Sequence, residues 1–347
     1  MSVVKTSAQA SADALTRLSG IAWGFVNSQA LASACEFGVF DALADGPLTL
    51  EQLAKRIALR PVACRRLLTV LARLDLVEQD GQTFRNTDLG QFCTATSPIN
   101  LAKVSVVNPF YHMFEHLTGA LREYGPRWQQ ALGTTAQDAF AALYADPKGL
   151  RDFAALMNAL SMPQGQLIAE SHDFSQHMCL MDVAGGPGGQ SIQIGLAHPH
   201  LRGIVTDLEP VCVVAREYIH ANGLDGRFSA VAADLIAGPY PSGADVILLG
   251  HILHDWSDET CLKILHNCAA ALPSSGTLLI SESVLRPDFS GENFANVKDL
   301  VMLVCNEPDA RERSEDEYRQ LLDATGFDVE TVLHLNSPRD LLVARKR

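Results

Sequence analysis

Apolar residues recur at helical spacing through the first third of the chain and change to short, strand-like runs in the second half. Leu31 and Ala34 belong to a predicted helix that ends before the turn Asp45-Gly46-Pro47. Another helix is predicted after Thr49, whose side chain can form a capping box with Gln52. The pattern therefore predicts a mainly helical N-terminal region.

A winged helix-turn-helix is predicted for residues 1–98. A helix from Pro61 is followed by two short strands around Asp80-Gly81, a dipeptide typical of hairpin turns. Arginines in this region suggest nucleic-acid binding, but the chain has 27 Lys and Arg against 40 Asp and Glu, a net charge of −13. Because nucleic acid favours a basic face, the charge favours a dimerisation scaffold. A ligand-responsive winged-helix regulator stays open as an alternative.

Residues 99–171 are predicted to form a helical connector, with Trp128, Tyr144 and Met157 among its buried positions. Its predicted breaks are Pro109, Gly125-Pro126, Pro147 and Pro163.

Residues 172–347 are predicted to form an α/β domain with a doubly wound sheet. Short apolar runs alternate there with helical segments, an arrangement typical of this fold class. The predicted strands are 179–183, 203–206, 228–232, 244–249 and 277–280. The charged run 309–317 is expected to be a solvated loop leading into a helix, with the exception of Glu312.

A glycine-rich turn and spaced carboxylates predict the ligand of this sheet. The turn at 182–188 follows the first strand, and Asp207 and Asp234 end the second and third. Asp207 is placed to accept both hydroxyls of an adenosine ribose. Acidic strand ends without nearby Lys or Arg favour a cationic adenosine ligand lacking phosphate, such as S-adenosylmethionine. A nicotinamide dinucleotide is the rival, but the third glycine of its fingerprint would fall at Ser191.

Two histidines follow the fourth strand. The segment 250–258 places His251 and His254 outside the carboxyl end of a strand, where open α/β sheets bind ligands. An imidazole is mostly neutral near pH 7, since its ordinary pKa is about 6.5, and can therefore act as a base.

Four segments, 182–188, 206–208, 233–234 and 250–258, together resemble the small-molecule O-methyltransferases of the caffeate, acetylserotonin and antibiotic-tailoring type. The resemblance covers nearly the whole chain and implies a Rossmann-like methyltransferase sheet behind a winged-helix dimerisation domain. It implies that His254 is the general base and that Glu282 and Glu312 flank and orient it. Which of these two carboxylates is the main partner stays open.

The resemblance also implies binding residues. Those for the cofactor are Ala184, Gly185, Gly186, Gly188, Asp207, Leu208, Asp234, Leu235 and Gly250. Those for the acceptor are Met157, Asn158, Met162, His251, Asp299, Met302 and Asn306, for which ordinary helix packing is the alternative explanation. Ala184 replaces the first glycine of the family's loop.

The expected function is methyl transfer from S-adenosylmethionine to a phenolic, enolic or heteroaromatic hydroxyl of a small secondary metabolite of pigment or antibiotic type, releasing S-adenosylhomocysteine. A family member that binds the cofactor without transferring methyl is the alternative. No metal, nucleic acid or membrane partner is expected. A homodimer is expected, with Trp23 and Phe25 as candidates for exchange across the interface.

The eight cysteines are scattered and include no C-x-x-C pair. They are expected to be buried free thiols of a reducing compartment. No apolar run approaches the roughly 20 residues of a membrane span. Together these features predict a cytoplasmic protein.

Overall fold

The computed structural model describes residues 7–97, 110–286 and 294–347. The chain forms two compact units, Met1–Asn108 and Pro109–Arg347. The predicted boundary between residues 98 and 99 and the predicted break at Pro109 lie outside the described residues. The division into 1–98, 99–171 and 172–347 stays a prediction.

The N-terminal unit is a winged helix, as the sequence predicts. Thr49 and Gln52 form the predicted capping box. Its helices are α1 (Ser7–Ala22), α2 (Gly24–Glu36), α3 (Val39–Ala44), α4 (Leu50–Arg56), α5 (Pro61–Arg73) and α6 (Asp88–Gln91). Its antiparallel sheet has the order β1-β3-β2, with β1 (Leu48–Thr49), β2 (Val77–Asp80) and β3 (Thr83–Asn86). The hairpin turn is confirmed, and Gly81 within it has a φ of 57°, which glycine adopts without strain.

The C-terminal unit is an α/β fold with a seven-stranded sheet. Its strands are β4 (Cys179–Val183), β5 (Arg202–Asp207), β6 (Phe228–Ala232), β7 (Val246–Gly250), β8 (Thr277–Glu282), β9 (Phe327–Leu333) and β10 (Asp340–Lys346). The strand order is β6-β5-β4-β7-β8-β10-β9; β6 to β8 are parallel, and β10 is antiparallel to both neighbours.

The helices of this unit include those of the predicted connector and those that pack on the sheet. They are α7 (Phe110–Phe114), α8 (Leu117–Glu123), α9 (Trp128–Leu132), α10 (Ala136–Ala145), α11 (Pro147–Ser171), α12 (Gly189–Ala197), α13 (Glu209–Ala221), α14 (Asp258–Ala271), α15 (Phe294–Cys305) and α16 (Glu315–Ala324). None of the described helices is long and apolar enough to cross a membrane.

The central strands are buried on both faces. On β4, Met181 and Val183 join one apolar cluster while Leu180 joins another on the opposite face. Side chains alternate across a strand, so a strand covered on both sides becomes a continuous apolar run. All five predicted strands are confirmed, and β9 and β10 complete the sheet without having been predicted.

Two predictions for the connector are wrong. Pro163 lies inside α11 and does not end it. The ring removes one backbone hydrogen bond, but buried neighbours such as Ala159 and Ile168 hold the helix through packing. The predicted burial of Trp128, Tyr144 and Met157 is the second, since all three are only half-buried.

All eight cysteines are described; seven are buried, Cys35 is half-buried, and none forms a disulfide.

The close packing of α11 on α12 depends on a glycine. A Cβ atom at Gly165 would lie 2.6 Å from the backbone oxygen of Gln190 and 2.7 Å from its Cα. We expect Gly165→Ala to lower the free energy of unfolding by about 1–3 kcal/mol, because backbone must move to admit the methyl group. The matched control is Gly119→Ala on α8, where the nearest atom would lie at 3.7 Å. Urea unfolding of both variants checks this, and equal destabilisation would contradict it.

A histidine pair near the amino end of β4 predicts acid sensitivity. The Nε2 atoms of His172 and His177 lie 3.3 Å apart. Burial, followed by the charge of His177, lowers the pKa of His172 to about 4. The unfolded chain therefore binds more protons between pH 6.5 and 4, and stability falls as the pH drops through this range. The free energy of unfolding of the wild type should therefore fall between pH 7.5 and pH 5. In His172→Gln we expect this fall to be smaller by about 1–2 kcal/mol, a figure reduced for solvent screening. Urea titrations at both pH values measure this, and an unchanged pH dependence would contradict it.

Candidate active site

Three segments bring charged side chains together beyond the carboxyl ends of β7 and β8. Gly250 ends β7 and leads into a short 3-10 turn, Leu253–Asp255. Glu282 ends β8, and the segment before α16 runs alongside it through the bridge between Leu285 and Ser314. This pairing places Glu312 next to the turn that carries His254.

His254 is buried and hydrogen-bonded to a buried carboxylate. Its Nδ1 lies 2.7 Å from Oε1 of Glu312 and 3.8 Å from Oε2 of Glu282. Its Nε2 lies 3.3 Å from Oδ1 of Asp255, which in turn accepts a hydrogen bond from Asn306. Glu312 is thus the direct partner of the imidazole in this geometry.

Glu282 shapes the turn. One of its oxygens, Oε1, accepts the backbone N–H groups of Ile252 and Leu253, each at 2.8 Å. Two charge-assisted hydrogen bonds to consecutive amides fix the backbone immediately before His254. Glu282 therefore acts on the imidazole mainly through its charge and through the path of the turn.

Arg313 fastens the other side of the same turn. Its guanidinium donates to the backbone oxygens of Leu253 and Trp256, both at 2.7 Å, and to Oδ1 of Asp258. Its side chain is fully buried. The expectation that only Glu312 departs from a solvated loop at 309–317 is wrong, because Arg313 is drawn inward by these carbonyl groups.

The protonation states follow from burial and neighbouring charges. Burial lowers the pKa of His254, but the charges of Glu282 and Asp255 and the hydrogen bond to Glu312 raise it above its ordinary value. Burial raises the pKa of Glu312, but the hydrogen bond and charge of His254 together with those of Lys298 outweigh burial and bring it below its usual range. Glu282 keeps a raised pKa, mainly because of burial. The carboxylates around His254 thus favour protonation of the imidazole more than water does.

His251 is a neighbour of His254 and not its partner. The two ring centroids lie 4.2 Å apart, and His251 has a φ of 67°. Burial and then the charge of His254 hold the pKa of His251 well below its ordinary value. His251 is therefore neutral near pH 7.

The glycine turn after β4 is built around two aspartates. Asp207, at the end of β5, accepts the N–H groups of Gly186 at 2.9 Å and Leu208 at 2.7 Å. Burial raises the pKa of Asp207 despite these bonds. The side chain of Asp182 packs directly against the turn, since a Cβ at Gly185 would lie 2.5 Å from its Cγ. The turn therefore holds a carboxylate at its edge and needs glycine at its centre.

The remaining predicted cofactor residues lie at the same sheet edge. Asp234 is exposed, and its Oδ1 accepts the N–H groups of Ile236 and Ala237, so it caps its own turn. At Gly250 a Cβ would lie 2.5 Å from Oε1 of Gln190. Ala184 has a φ of 53°, in the left-handed region that glycine favours. Leu208 is exposed, and Leu235 packs against the main core.

Two of the predicted acceptor residues, Asp299 and Asn306, form hydrogen bonds with residues that contact His254. Asp299 accepts the backbone N–H of Glu312 at 3.0 Å, and Asn306 donates to Asp255 at 2.7 Å. Asn158 donates to the sulfur of Met162 within α11. Met302 is buried and Met157 half-buried.

Comparison with protein families assigns both units. The O-methyltransferase domain family matches residues 114–328, more than half of the chain, and the O-methyltransferase dimerisation domain family matches residues 20–96. The chain belongs to the S-adenosylmethionine-dependent O-methyltransferase family. The resemblance drawn from the sequence is thereby confirmed.

Individual relatives of this methyltransferase agree. The 3-hydroxy-5-methyl-1-naphthoate 3-O-methyltransferase of Streptomyces sahachiroi is 35% identical over 83% of both chains. The N,N-dimethyltransferase OxyT of Streptomyces rimosus is 31% identical over 87% of both chains. The crystal structure of human N-acetylserotonin methyltransferase in complex with S-adenosylmethionine has a TM-score of 0.87 at 27% identity, covering 100% of this chain and 99% of that one.

The sequence did not indicate two buried cations of this methyltransferase. Lys298, on α15, places its Nζ 3.1 Å from Oε1 of Glu312. Arg339, just before β10, is buried and donates to the backbone oxygen of Leu160. Neither position belongs to a motif, and only the three-dimensional arrangement brings these side chains to the site.

His254, Glu282 and Glu312 also meet a distance criterion for holding a metal ion. Their candidate ligand atoms lie within 4.8 Å of one another. However, the ammonium of Lys298 already lies beside Glu312 and supplies a positive charge at this point. The expectation that the enzyme needs no metal stays a prediction.

Proposed function

We propose that this methyltransferase moves the methyl group of S-adenosylmethionine to a phenolic, enolic or heteroaromatic hydroxyl of a small secondary metabolite, with His254 as general base. The observation that carries the proposal is the 2.7 Å hydrogen bond between His254 Nδ1 and Glu312 Oε1 within a buried site. A pigment or antibiotic scaffold is the proposed acceptor class. The enzyme name of the Streptomyces sahachiroi relative, which is a hydroxynaphthoate O-methyltransferase, supports this class.

The edge of the sheet fits the cofactor. Asp207 is held by two amides, and a carboxylate in this position suits the ribose hydroxyls of an adenosine group. A Cβ at Gly186 would meet nothing within 4 Å, so there is open space beside the turn. The proposed contacts are Ala184, Gly185, Gly186, Gly188, Asp207, Leu208, Asp234, Leu235 and Gly250. When bound, the cofactor supplies an electrophilic methyl group on a positively charged sulfur.

His254 removes the proton of the acceptor. Glu312 accepts a hydrogen bond from Nδ1–H, so the lone pair of the neutral ring is on Nε2, which lies 3.3 Å from Oδ1 of Asp255. As the bond between the acceptor oxygen and the methyl carbon forms, the bond from methyl carbon to sulfur breaks, and the proton passes to Nε2. Glu312 then stabilises the imidazolium. Alignment of two bound reactants supplies up to several kcal/mol of the acceleration.

The acceptor is proposed to lie against Met157, Asn158, Met162, His251, Asp299, Met302 and Asn306. In this proposal Asp299 and Asn306 have a second task, because they hold Glu312 and Asp255 in place. The identity of the acceptor and the position methylated are left to experiment.

A homodimer formed through the N-terminal unit is also proposed. The dimerisation family matches this unit, and α1 and the start of α2 expose large apolar side chains. Among them, Ile21 is 76% exposed and Trp23 64% exposed, unusual values for such residues in a monomer. A cytoplasmic location is proposed from the free thiols.

An amine acceptor is the second candidate, favoured by the similarity to an N,N-dimethyltransferase. Removal of a proton by His254 serves an ammonium group as well as a hydroxyl. The alternative that this protein binds S-adenosylmethionine without transferring its methyl group is disfavoured. Such a protein does not need a base, and His254 and Glu312 are both present here.

A mass-spectrometric screen tests the function. Hydroxylated naphthoates, phenazines and indoles, and amine analogues of the same rings, are incubated with the full-length enzyme and S-adenosylmethionine carrying a labelled methyl group. The proposal predicts a labelled methyl on oxygen for at least one hydroxyl compound. Transfer to the amines alone would establish the second candidate, and conversion without S-adenosylhomocysteine would contradict both.

A further inference from the structure

A buried lysine competes with the base for one carboxylate oxygen. The side chain of Lys298 is 9% exposed, and its Nζ lies 3.1 Å from Oε1 of Glu312. The same oxygen lies 2.7 Å from Nδ1 of His254. Lysine is rarely buried without an ionic partner, and here that partner is the residue that orients the imidazole. Glu312 is therefore shared between two cationic or potentially cationic groups.

Lys298 is one of two buried cationic side chains that lie near the carboxylates around His254. The groups that face the imidazole or its carboxylates are His251 and Asp255 on its own turn, Glu282 at the end of β8, Lys298 and Asp299 on α15, Glu312 before α16, Tyr318 on α16 and Arg339 before β10. Lys298 and Arg339 are positively charged and oppose the carboxyl groups of this cluster, of which Glu282 and Glu312 are fully buried. Removal of Lys298 makes the cluster more negative and thereby favours the protonated form of His254.

We propose that Lys298 is a positioning residue that shares Glu312 with His254 and keeps the imidazole free to accept a proton. The inference rests on the proposed function, because it concerns the readiness of the proposed base. A glutamate bonded to His254 alone holds the proton of the imidazolium more tightly, and the enzyme then starts each cycle with its base occupied. Lys298 weakens this hold while Glu312 still fixes the ring.

The directions of the pKa shifts agree with this geometry. The charge of Lys298 lowers the pKa of His254, in opposition to Glu282 and Asp255. Burial lowers the pKa of Lys298 itself, and the charge of Glu312 opposes this effect most strongly. The ammonium and the carboxylate thus stabilise each other in a largely buried position.

An NMR titration of the histidine side chains tests the proposal. Full-length protein with ¹⁵N-labelled histidine is titrated as wild type, Lys298→Met and Lys298→Arg, and the signal of His254 is assigned from its loss in His254→Gln. A unit charge about 6 Å away, at an effective dielectric constant of about 20, shifts a pKa by about 1–2 units. We therefore expect Lys298→Met to raise the midpoint of His254 by about 1–2 pH units and Lys298→Arg to retain the wild-type midpoint.

Lys263→Met is the matched control, because Lys263 forms an exposed pair with Glu259 on α14. It should leave the midpoint of His254 unchanged. An unchanged or lowered midpoint in Lys298→Met overturns the proposal. If near-UV circular dichroism shows that Lys298→Met does not fold, Lys298→Gln replaces it with the same expectation. A His254 midpoint shifted by a full pH unit in Lys298→Arg contradicts the proposal in either case. The titration needs no acceptor, so its outcome is independent of the methyl-transfer screen.

Discussion

His254→Ala is expected to lower the rate of methyl transfer by about 10²–10⁴-fold, the range typical of a lost general base. The affinity for S-adenosylhomocysteine should stay near that of the wild type, because His254 is not among the proposed cofactor contacts. Single-turnover transfer of a labelled methyl group measures the rate, and calorimetry measures the affinity.

The matched control for this variant is His220→Ala. His220 also pairs with a carboxylate, Asp225, at 3.0 Å, but its side chain is 81% exposed. This control should keep wild-type transfer. If His254→Ala retains more than about a tenth of the wild-type rate, a base contribution of this size is absent and the assigned role is wrong.

Asp207→Ala is expected to weaken binding of S-adenosylhomocysteine by about 10- to 100-fold, which corresponds to about 1.4–2.7 kcal/mol. The variant removes a carboxylate that we propose meets the ribose, and it releases the N–H groups of Gly186 and Leu208 that shape the turn. Calorimetry with S-adenosylhomocysteine measures the change in affinity.

Asp225→Ala serves as the control for Asp207, since it removes an exposed carboxylate in the segment that follows α13. Thermal unfolding without ligand should show that both variants are folded. Wild-type affinity in folded Asp207→Ala would contradict the proposed contact between Asp207 and the cofactor.

The parallel strands were predictable because burial on both faces turns each of them into a short apolar run. β9 carries a weaker signal: Phe327, Val329 and Thr331 alternate with charged residues, as in a strand with one wet face. That alternation was available in the sequence, but its position after the last helix gave no reason to expect an antiparallel strand. The apolar run of β10 offered a second signal.

The site was predictable only as far as its residues lie in local motifs. His254 and Asp207 each follow a strand, and the carboxyl ends of parallel strands meet at one edge. Glu312 was predicted as a partner of His254 only from the family resemblance, because its approach to His254 depends on the pairing between Leu285 and Ser314. Lys298, Arg313 and Arg339 had no local signal, since each acts on a partner distant in sequence.

Arg313 is buried although it lies in a run of charged residues. A run of charged residues is usually solvated, yet here the guanidinium donates to the carbonyl oxygens of Leu253 and Trp256, whose other donors include the thiol of Cys261. The turn that carries the base is thus fixed by Glu282 on its amide side and Arg313 on its carbonyl side. This two-sided support explains how a short 3-10 turn can hold the imidazole of His254 in one position.

The central claim is that neutral His254 takes the proton of the acceptor hydroxyl, and the pH dependence of single-turnover methyl transfer tests it most directly. Because the pKa of His254 lies above its ordinary value, the base form is lost as the pH falls through that raised value. With an acceptor whose hydroxyl has a pKa above about 9, the rate should fall tenfold per pH unit on the acid side, with a midpoint that matches the NMR titration of His254. A rate that follows the ionisation of the acceptor itself, or one that is independent of pH in this range, would contradict the claim.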